Sequence, residues 1–405
     1  MKQLTPIISE PAREHYDVVI VGGAVIGSSI ASFTAQNPDF DGSILVVERD
    51  TTYENSSTAH TNSCMRQQFS NPVNVKISQF AAEYVKNFQS YMGDDPEVPE
   101  LYFQSYGYMY LAGDDDLAAV LRTNQKIQAE LGSGTKTMSP DEIKAAYPFY
   151  NVDGIICGNH NLIDEGYFDS GTMFDWMRRK ARENGVEYLS NEVVDIEVSD
   201  GKAQAVLLAS GERVSCGMVV NAAGPRAVEV ARMAGAELPV EPRKRFTFIF
   251  KAAEPLDRDL PLTIDPSGIH CRTDGDAYMA GCTPDIDPAV AYDDHAMDHD
   301  IFEDKVWPAL ANRIPAFEQI KIQTQWAGHY AHNRLDANVV VGPHHEIDNF
   351  VFSVGFSGHG MQQSPAIGRG VSELITYGEY RSLDLSPLGY QRIIDNDPFI
   401  ETAII

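Results

Sequence analysis

The feature that most constrains this chain is the run from Asp17 to Gln36, DVVIV followed by GGAVIG and SSIASFTAQ. Asp17 to Val21 is a β-branched apolar segment of the kind buried in a parallel sheet. The glycines end it, and the small residues after Gly27 make a helix able to pack closely on that sheet. A second buried strand, Ser43 to Val47, ends at Glu48, about 20 residues past the last glycine. Strand, turn, helix and strand in this order form one dinucleotide-binding crossover. Gly22 permits the tight turn, with Gly23 and Ala24 where backbone approaches a pyrophosphate, and Gly27 lets helix and strand meet. The start of the helix, through Ile26, then turns N–H groups and partial positive charge on the phosphates. The match to G-x-G-x-x-G departs only at Ala24, whose methyl is a small steric cost. Glu48 stands where a ribose hydroxyl binds and repels a 2′-phosphate, so FAD or NAD fits and NADP does not.

The rest of the chain alternates between segments of this type and others built differently. Asn74 to Met92 has helical spacing through Ile77, Phe80, Tyr84 and Phe88, whereas Leu101 to Leu111 is aromatic and strand-like. Asp141–Ala146 and Thr172–Asn184 read as helices. Glu187 to Leu208 reads as strands about the turn Ser199-Asp200-Gly201, and Val214 to Ala223 as another buried strand. Arg243–Lys251 and Ala277–Cys282 read as strands of a separate sheet. Asn349–Gly355 is a last strand, with a helix expected from Ser364 to Tyr377. Nucleotide-type segments therefore recur at both ends and in the middle, which gives two interleaved domains rather than two beads.

A net charge of −27 argues against nucleic acid and anionic membranes, both of which need a basic surface. The five cysteines have no CxxC spacing and fit free thiols rather than zinc or a disulfide frame. No metal site is expected: His295 and His299, among Asp293, Asp294, Asp298 and Asp300, have helical i, i+4 spacing but read as a solvated acidic surface. His344-His345-Glu346 reads as loop chemistry. The opening residues lack a signal-peptide core and no run reaches membrane-spanning length, so a cytoplasmic location without membrane insertion is expected.

Two further motifs carry chemistry. Asn221-Ala222-Ala223-Gly224-Pro225 places small residues at the end of a strand, where backbone can approach a ligand. Gly355-Phe356-Ser357-Gly358-His359-Gly360-Met361-Gln362 puts three glycines before a helix, which fits unusual backbone angles or close contact with something flat. The amino terminus of that helix favours negative charge, such as a reduced flavin carries.

These segments, with Ser56-Ser57-Thr58, Arg66-Gln67-Gln68-Phe69-Ser70 and Asp384-Leu385-Ser386-Pro387-Leu388, resemble the D-amino-acid-oxidase superfamily, in its sarcosine oxidase and dimethylglycine dehydrogenase branch. The resemblance spans nearly the whole chain. It implies an α/β fold: a Rossmann-type FAD-binding domain of the glutathione-reductase type, interleaved with an α+β substrate domain on a mainly antiparallel sheet. The expected segments are 1–98, 150–236 and 323–405 for the first, and 99–149 and 237–322 for the second. It implies FAD contacts at Gly22, Gly23, Ala24, Ile26, Gly27, Glu48, Arg49, Ser56, Ser57, Thr58, Arg66, Gln67 and Val193. Ala223, Gly224, Gly355, Gly358, His359, Gly360, Met361 and Gln362 complete that set.

The implied activity is oxidation of a C–N bond in a small secondary or N-substituted amino acid, with oxygen or an electron-transfer acceptor, in a chain able to form homo-oligomers. Arg66 matches the arginine that clamps a substrate carboxylate. Gln362 stands where many sarcosine oxidases have a lysine, so the clamp is weaker or is completed by Arg272 or Arg245. His359 is the candidate for a direct chemical role. Gly328-His329-Tyr330 lacks the cysteine that tethers flavin in monomeric sarcosine oxidases, and no Trp-His pair replaces it, so FAD is expected to be non-covalent. Met279 takes the place of the oxygen-activating lysine, which leans toward a dehydrogenase. Two alternatives stand: an FAD-dependent 2-hydroxy-acid dehydrogenase, which needs a base for the hydroxyl proton, and a non-catalytic flavoprotein of the assembly-factor type.

Overall fold

The computed structural model describes residues 4–402; residues 1 and 405, the outer limits expected for the first domain, lie outside them. Among the described residues, strands His15–Val21 and Ile44–Glu48 pair in parallel, Val18 opposite Ile44, and sit near the middle of a nine-stranded sheet. Both are almost wholly buried, as a sheet covered on two faces requires. The next strand, Arg213–Asn221, is forked in its pairing. Its first residues run antiparallel to Lys202–Leu208, while Val219, Val220 and Asn221 lie parallel both to His15–Val21 and to Phe350–Val354. Asp200 and Gly201, at φ 51° and 70°, make the expected hairpin turn behind it.

Two apolar layers cover this sheet. One gathers Val19, Val206, Val219, Phe350 and the helix Ala227–Met233; the other gathers Ile20, Ile30, Val46, Tyr188 and Ile367. In the second layer the helices Val25–Gln36 and Gly360–Tyr377 cross at very close range. A Cβ on Gly368 would lie 2.1 Å from Ser29 Oγ, and that hydroxyl instead donates to Ser364 O at 2.7 Å. The later helix starts at Gly360 rather than Ser364. It tolerates Pro365, whose missing N–H leaves Met361 O without its helical donor, because Ser364 Oγ donates to that carbonyl at 2.9 Å.

A second, eight-stranded sheet holds Val240–Ala252 against Ile320–Asn333 on one side and Ala277–Cys282 on the other. It is antiparallel except where Leu262–Ile264 joins Tyr108–Ala112. Phe246, Phe248, Phe250, Phe302 and Phe317 fill its outer face. Two strands pair across the expected segment limits: Cys157–Asn161 and the whole of Ile320–Asn333 belong to this sheet. Leu101–Leu111 is not one strand. Gly107, at φ 86°, separates Phe103–Gln104, in a small three-stranded sheet, from Tyr108–Ala112. All five cysteines are free. No helix among the described residues is long and apolar enough to cross a membrane.

Candidate active site

The two large sheets face one another across a cavity of about 590 Å³, within the usual range for small-molecule sites. On the nine-stranded side its wall begins at the glycine turn. Gly22 has φ 100°, and a Cβ there would stand 2.5 Å from Ala222 O; a Cβ on Gly27 would stand 1.9 Å from Gly22 O. The turn is thus pressed between its own helix and the end of Arg213–Asn221, and only glycine fits. Neither long helix bordering the cavity has a side-chain cap: Ala24 precedes Val25–Gln36, and His359 precedes Gly360–Tyr377. Both amino termini open into the same space, with Ala24, Val25, Ile26, Gly360, Met361 and Gln362 on its wall.

Glu48 lies where the expectation placed it, on the cavity wall beside the turn. Its Oε2 accepts from Gly23 N at 2.8 Å and its Oε1 from Asp50 N at 2.9 Å, while burial raises its carboxyl above the usual range. The Tyr53 hydroxyl nearby is buried without a partner, and burial pushes it up to about 12. An unpaired donor, two uncapped helix termini and a cradle that a single Cβ would fill all suit a long nucleotide with a central anionic group. The residues present fit FAD.

Arg66 organises the other end. It is 1% exposed; its Nη1 donates to Gln68 O at 2.6 Å and its Nη2 to His359 Nε2 at 2.8 Å, with Phe69 under the guanidinium at 4.1 Å. Its backbone N–H donates to Gln362 Oε1 at 2.8 Å. Because Arg66 can only donate, His359 Nε2 must be unprotonated. Burial, and then the Arg66 charge, hold that ring well below its ordinary pKa. Arg66, His359 and Gln362 therefore form one buried unit bordering the cavity. The arginine is turned on its own loop and on the histidine, and this replaces the expected outstretched clamp.

Most of the predicted contact residues share this wall: Gly22, Ala24, Ile26, Glu48, Arg49, Ser56, Ser57, Thr58, Val193, Ala223, Gly224 and Gly358 with the group just described. Four do not reach it. Gly23 and Gly27 shape the turn from behind, and Gly355, at φ 74°, packs on Val240. Gln67 N donates to Glu165 Oε1 at 2.7 Å. Arg272 does not line the cavity; its Nη1 donates to Asp274 Oδ1 at 2.8 Å and its Nη2 to Asn62 O at 2.9 Å. Met279 is buried in its strand opposite Arg272 and does not line the cavity. His344 accepts from the backbone of Glu346 and Ile347, as a loop residue.

The eight-stranded side supplies Arg245, named with Arg272 as a residue able to complete the clamp, together with Thr247, His270 and Tyr330, which were not expected to line the cavity. His295 is a correction. Its segment is irregular rather than helical, and the ring stacks on His329 at 4.2 Å and borders the cavity. A residue of the Val240–Ala252 strand with outward spacing was the available signal for Arg245 and Thr247; the histidines had none.

A nucleotide-type sheet with a parallel centre, its cavity closed by a second, mainly antiparallel sheet, defines a dinucleotide-binding protein. The family model described as DAO, FAD dependent oxidoreductase, matches residues 17–374, and this chain belongs to that family. It is an FAD-dependent enzyme. FAD-dependent oxidoreductase domain-containing protein 1 of Xenopus laevis is 37% identical over 426 residues, covering 97% of this chain and 85% of that protein. Mitochondrial sarcosine dehydrogenase of Mus musculus is 22% identical over 382 residues, covering 91% and 40%. The solved structure of L-proline dehydrogenase from P. horikoshii superposes with a TM-score of 0.81 at 27% identity, covering 96% of this chain and 99% of that one.

Proposed function

We propose that this enzyme oxidises the C–N bond of a small secondary or N-substituted amino acid, sarcosine- or dimethylglycine-like, with FAD held non-covalently. The observation that carries the reading is the state of His359. A C–OH substrate needs a base to take the hydroxyl proton, and here the accepting nitrogen already holds Arg66 at 2.8 Å. An amine that binds as its neutral form needs no such base. Sarcosine dehydrogenase and L-proline dehydrogenase, by their names, act on secondary amines, which agrees with it.

In this reading Gly22, Ala24 and Ile26 hold the pyrophosphate and Glu48 a ribose. Ala223, Gly224 and the Gly358–Met361 loop hold the flavin end. FAD, when bound there, would supply the two-electron oxidant for the C–H bond beside the substrate nitrogen. The start of Gly360–Tyr377 favours the negative charge that accompanies reduction. Arg66 fixes His359 and Gln362, and so orients the loop at that end. Water hydrolyses the imine left on the substrate, giving the shorter amine and an aldehyde or keto acid. Non-covalent attachment is supported at Gly328, where a Cβ would stand 2.6 Å from His60 Cβ, so a tethering side chain has no room.

The test is anaerobic bleaching of the purified, FAD-loaded enzyme by N-methyl amino acids, D-amino acids and 2-hydroxy acids. Reduction by the N-substituted amino acids is expected. Reduction by hydroxy acids alone would sink the amine reading, and no reduction by any of them would favour a flavoprotein without turnover.

A further inference from the structure

The loop Arg66–Ser70 carries the arginine that fixes His359 and Gln362, and a residue far along the chain holds its end. Glu401 is 1% exposed, and its carboxylate lies at the start of the helix Pro72–Lys86. Its Oε1 accepts from Ser70 N at 2.8 Å and from Ser70 Oγ at 2.6 Å. Its Oε2 accepts from Asn74 Nδ2 at 2.9 Å and from Asn71 N and Nδ2, each at 3.3 Å. That helix has no side-chain cap and no acidic residue in its first turn. Glu401 brings from a distance the negative charge that its amino terminus favours. Each of these contacts is a donor, the pattern that a carboxylate takes and a packing side chain does not.

The segment that delivers Glu401 is itself tied down. Asp336 accepts from Phe399 N at 3.1 Å and, at its backbone oxygen, from Glu401 N at 3.1 Å, while Arg392 Nε donates to its Oδ2 at 2.6 Å. Asn338 joins this segment to the helix: its Nδ2 donates to Phe399 O, and its Oδ1 accepts from Asn74 Nδ2 at 2.7 Å. On the loop side, Ser70 follows Phe69, whose ring lies under the Arg66 guanidinium and edge-on to His359 at 5.0 Å. Gln128 Nε2 donates to Phe69 O at 3.0 Å. The Tyr110 ring is 5.6 Å from Arg66, and the charges of Arg66, Glu165 and Glu401 all act on its buried hydroxyl. The three charges therefore share one region of low dielectric, where each is felt strongly by the others. Glu401 does not line the cavity, so it reaches the site only through this loop and this field.

We propose that Glu401 is a positioning residue for the flavin end of the cavity: its carboxylate fixes the Arg66–Ser70 loop and offsets part of the Arg66 charge that FAD meets there. The proposal rests on the placing of the flavin end at Gly358–Met361 given above, and not on the substrate. The test uses the full chain loaded with FAD and reads the flavin midpoint potential by equilibration with a reference dye. Glu401→Gly opens a space at the helix start that acetate fills with charge and acetamide fills without it; the parent enzyme is titrated alongside to correct for acetate bound in the cavity. Loss of the carboxylate leaves Arg66 less balanced, which favours the negative charge of reduced flavin. The ratio of reduced to oxidised flavin at a fixed potential is expected to rise by about 3- to 10-fold, the scale of one buried charge at an effective dielectric of about 20. For a two-electron couple that is a rise of roughly 15 to 30 mV. Acetate is expected to restore the parent potential and acetamide is not. Glu401→Gln removes the same charge at nearly the parent's shape, so it reads the rise even if Glu401→Gly fails to fold. Equal rescue by acetamide, or a parent-like potential in Glu401→Gln, would overturn the proposal, because a merely structural contact does not move the potential through charge. Rescue by acetate in an enzyme that no amino acid reduces would leave the positioning role standing and remove the amine reading. Turnover of N-methyl amino acids with a parent-like potential in both variants would do the reverse.

Discussion

Replacing Gly27 by alanine probes the glycine turn where the structure leaves least space. The new Cβ would lie 1.9 Å from Gly22 O, against ordinary non-bonded separations of about 3.5 Å. The carbonyl must therefore move by roughly 1.5 Å. Alanine repays about 1 kcal/mol of helix propensity, and overpacking costs about 1–3 kcal/mol, so the fold itself loses only about 0–2 kcal/mol. The cofactor feels the displacement directly, because Gly22 is the turn that faces the cavity. A misplacement of about 1 Å in an oriented site is worth about 100-fold, or about 3 kcal/mol of FAD affinity. Isothermal titration of the apoprotein with FAD measures this, with denaturant unfolding of the same sample as the control. Gly378→Ala is the second control: it has φ 76° and no atom within 4 Å of a new Cβ, so it costs about 1 kcal/mol of stability and leaves FAD binding alone. A Gly27→Ala protein that binds FAD as tightly as the parent would refute the close-approach argument.

Other consequences are as direct. Glu165 is fully buried and burial pushes its carboxyl up to about 7. The folded state therefore holds that proton more tightly than the unfolded chain. The contribution is full below the unfolded value of 4.5 and is lost as pH rises through about 7. Glu165→Gln should gain on the parent by up to about 3 kcal/mol across that window, read from denaturant midpoints on either side of it; a constant difference would contradict the assignment. Acid precipitation of the parent enzyme should release all its flavin to the supernatant, and Gly328→Cys should fold less well without tethering it. Arg66→Met should leave His359 and Gln68 O unpaired and cost about 2–4 kcal/mol, with a loss of turnover larger than the loss of FAD affinity.

The sequence carried the nucleotide fold because its signals are local. Continuous apolar runs, glycines at the turn and a carboxylate at the next strand's end all lie within Asp17–Glu48, and each fell where expected. Boundaries failed where local chemistry gives two answers. Pro365 reads as a first-turn proline, yet the helix begins at Gly360 because Ser364 supplies the missing hydrogen bond. Ile320–Asn333 stayed hidden because its first half is solvent-facing on a sheet edge and reads as polar. The far wall of the site was the least legible part. Asp274 sits two residues beyond Arg272 and neutralises it, while Arg245 finds its partner at Asp287, across a strand and a loop. His295 meets His329 only through the tertiary fold. Residues that face a cavity from irregular segments have no period to betray them.

The most direct test of C–N oxidation is a single turnover. The FAD-loaded enzyme is mixed anaerobically with an excess of an N-methyl amino acid, and reduced flavin and released aldehyde are measured on the same sample. Atom balance requires one aldehyde for each flavin reduced, with the demethylated amino acid as the other product. Equal amounts would support the account. Flavin that stays oxidised, or is reduced with neither an aldehyde nor a keto acid released, would contradict it.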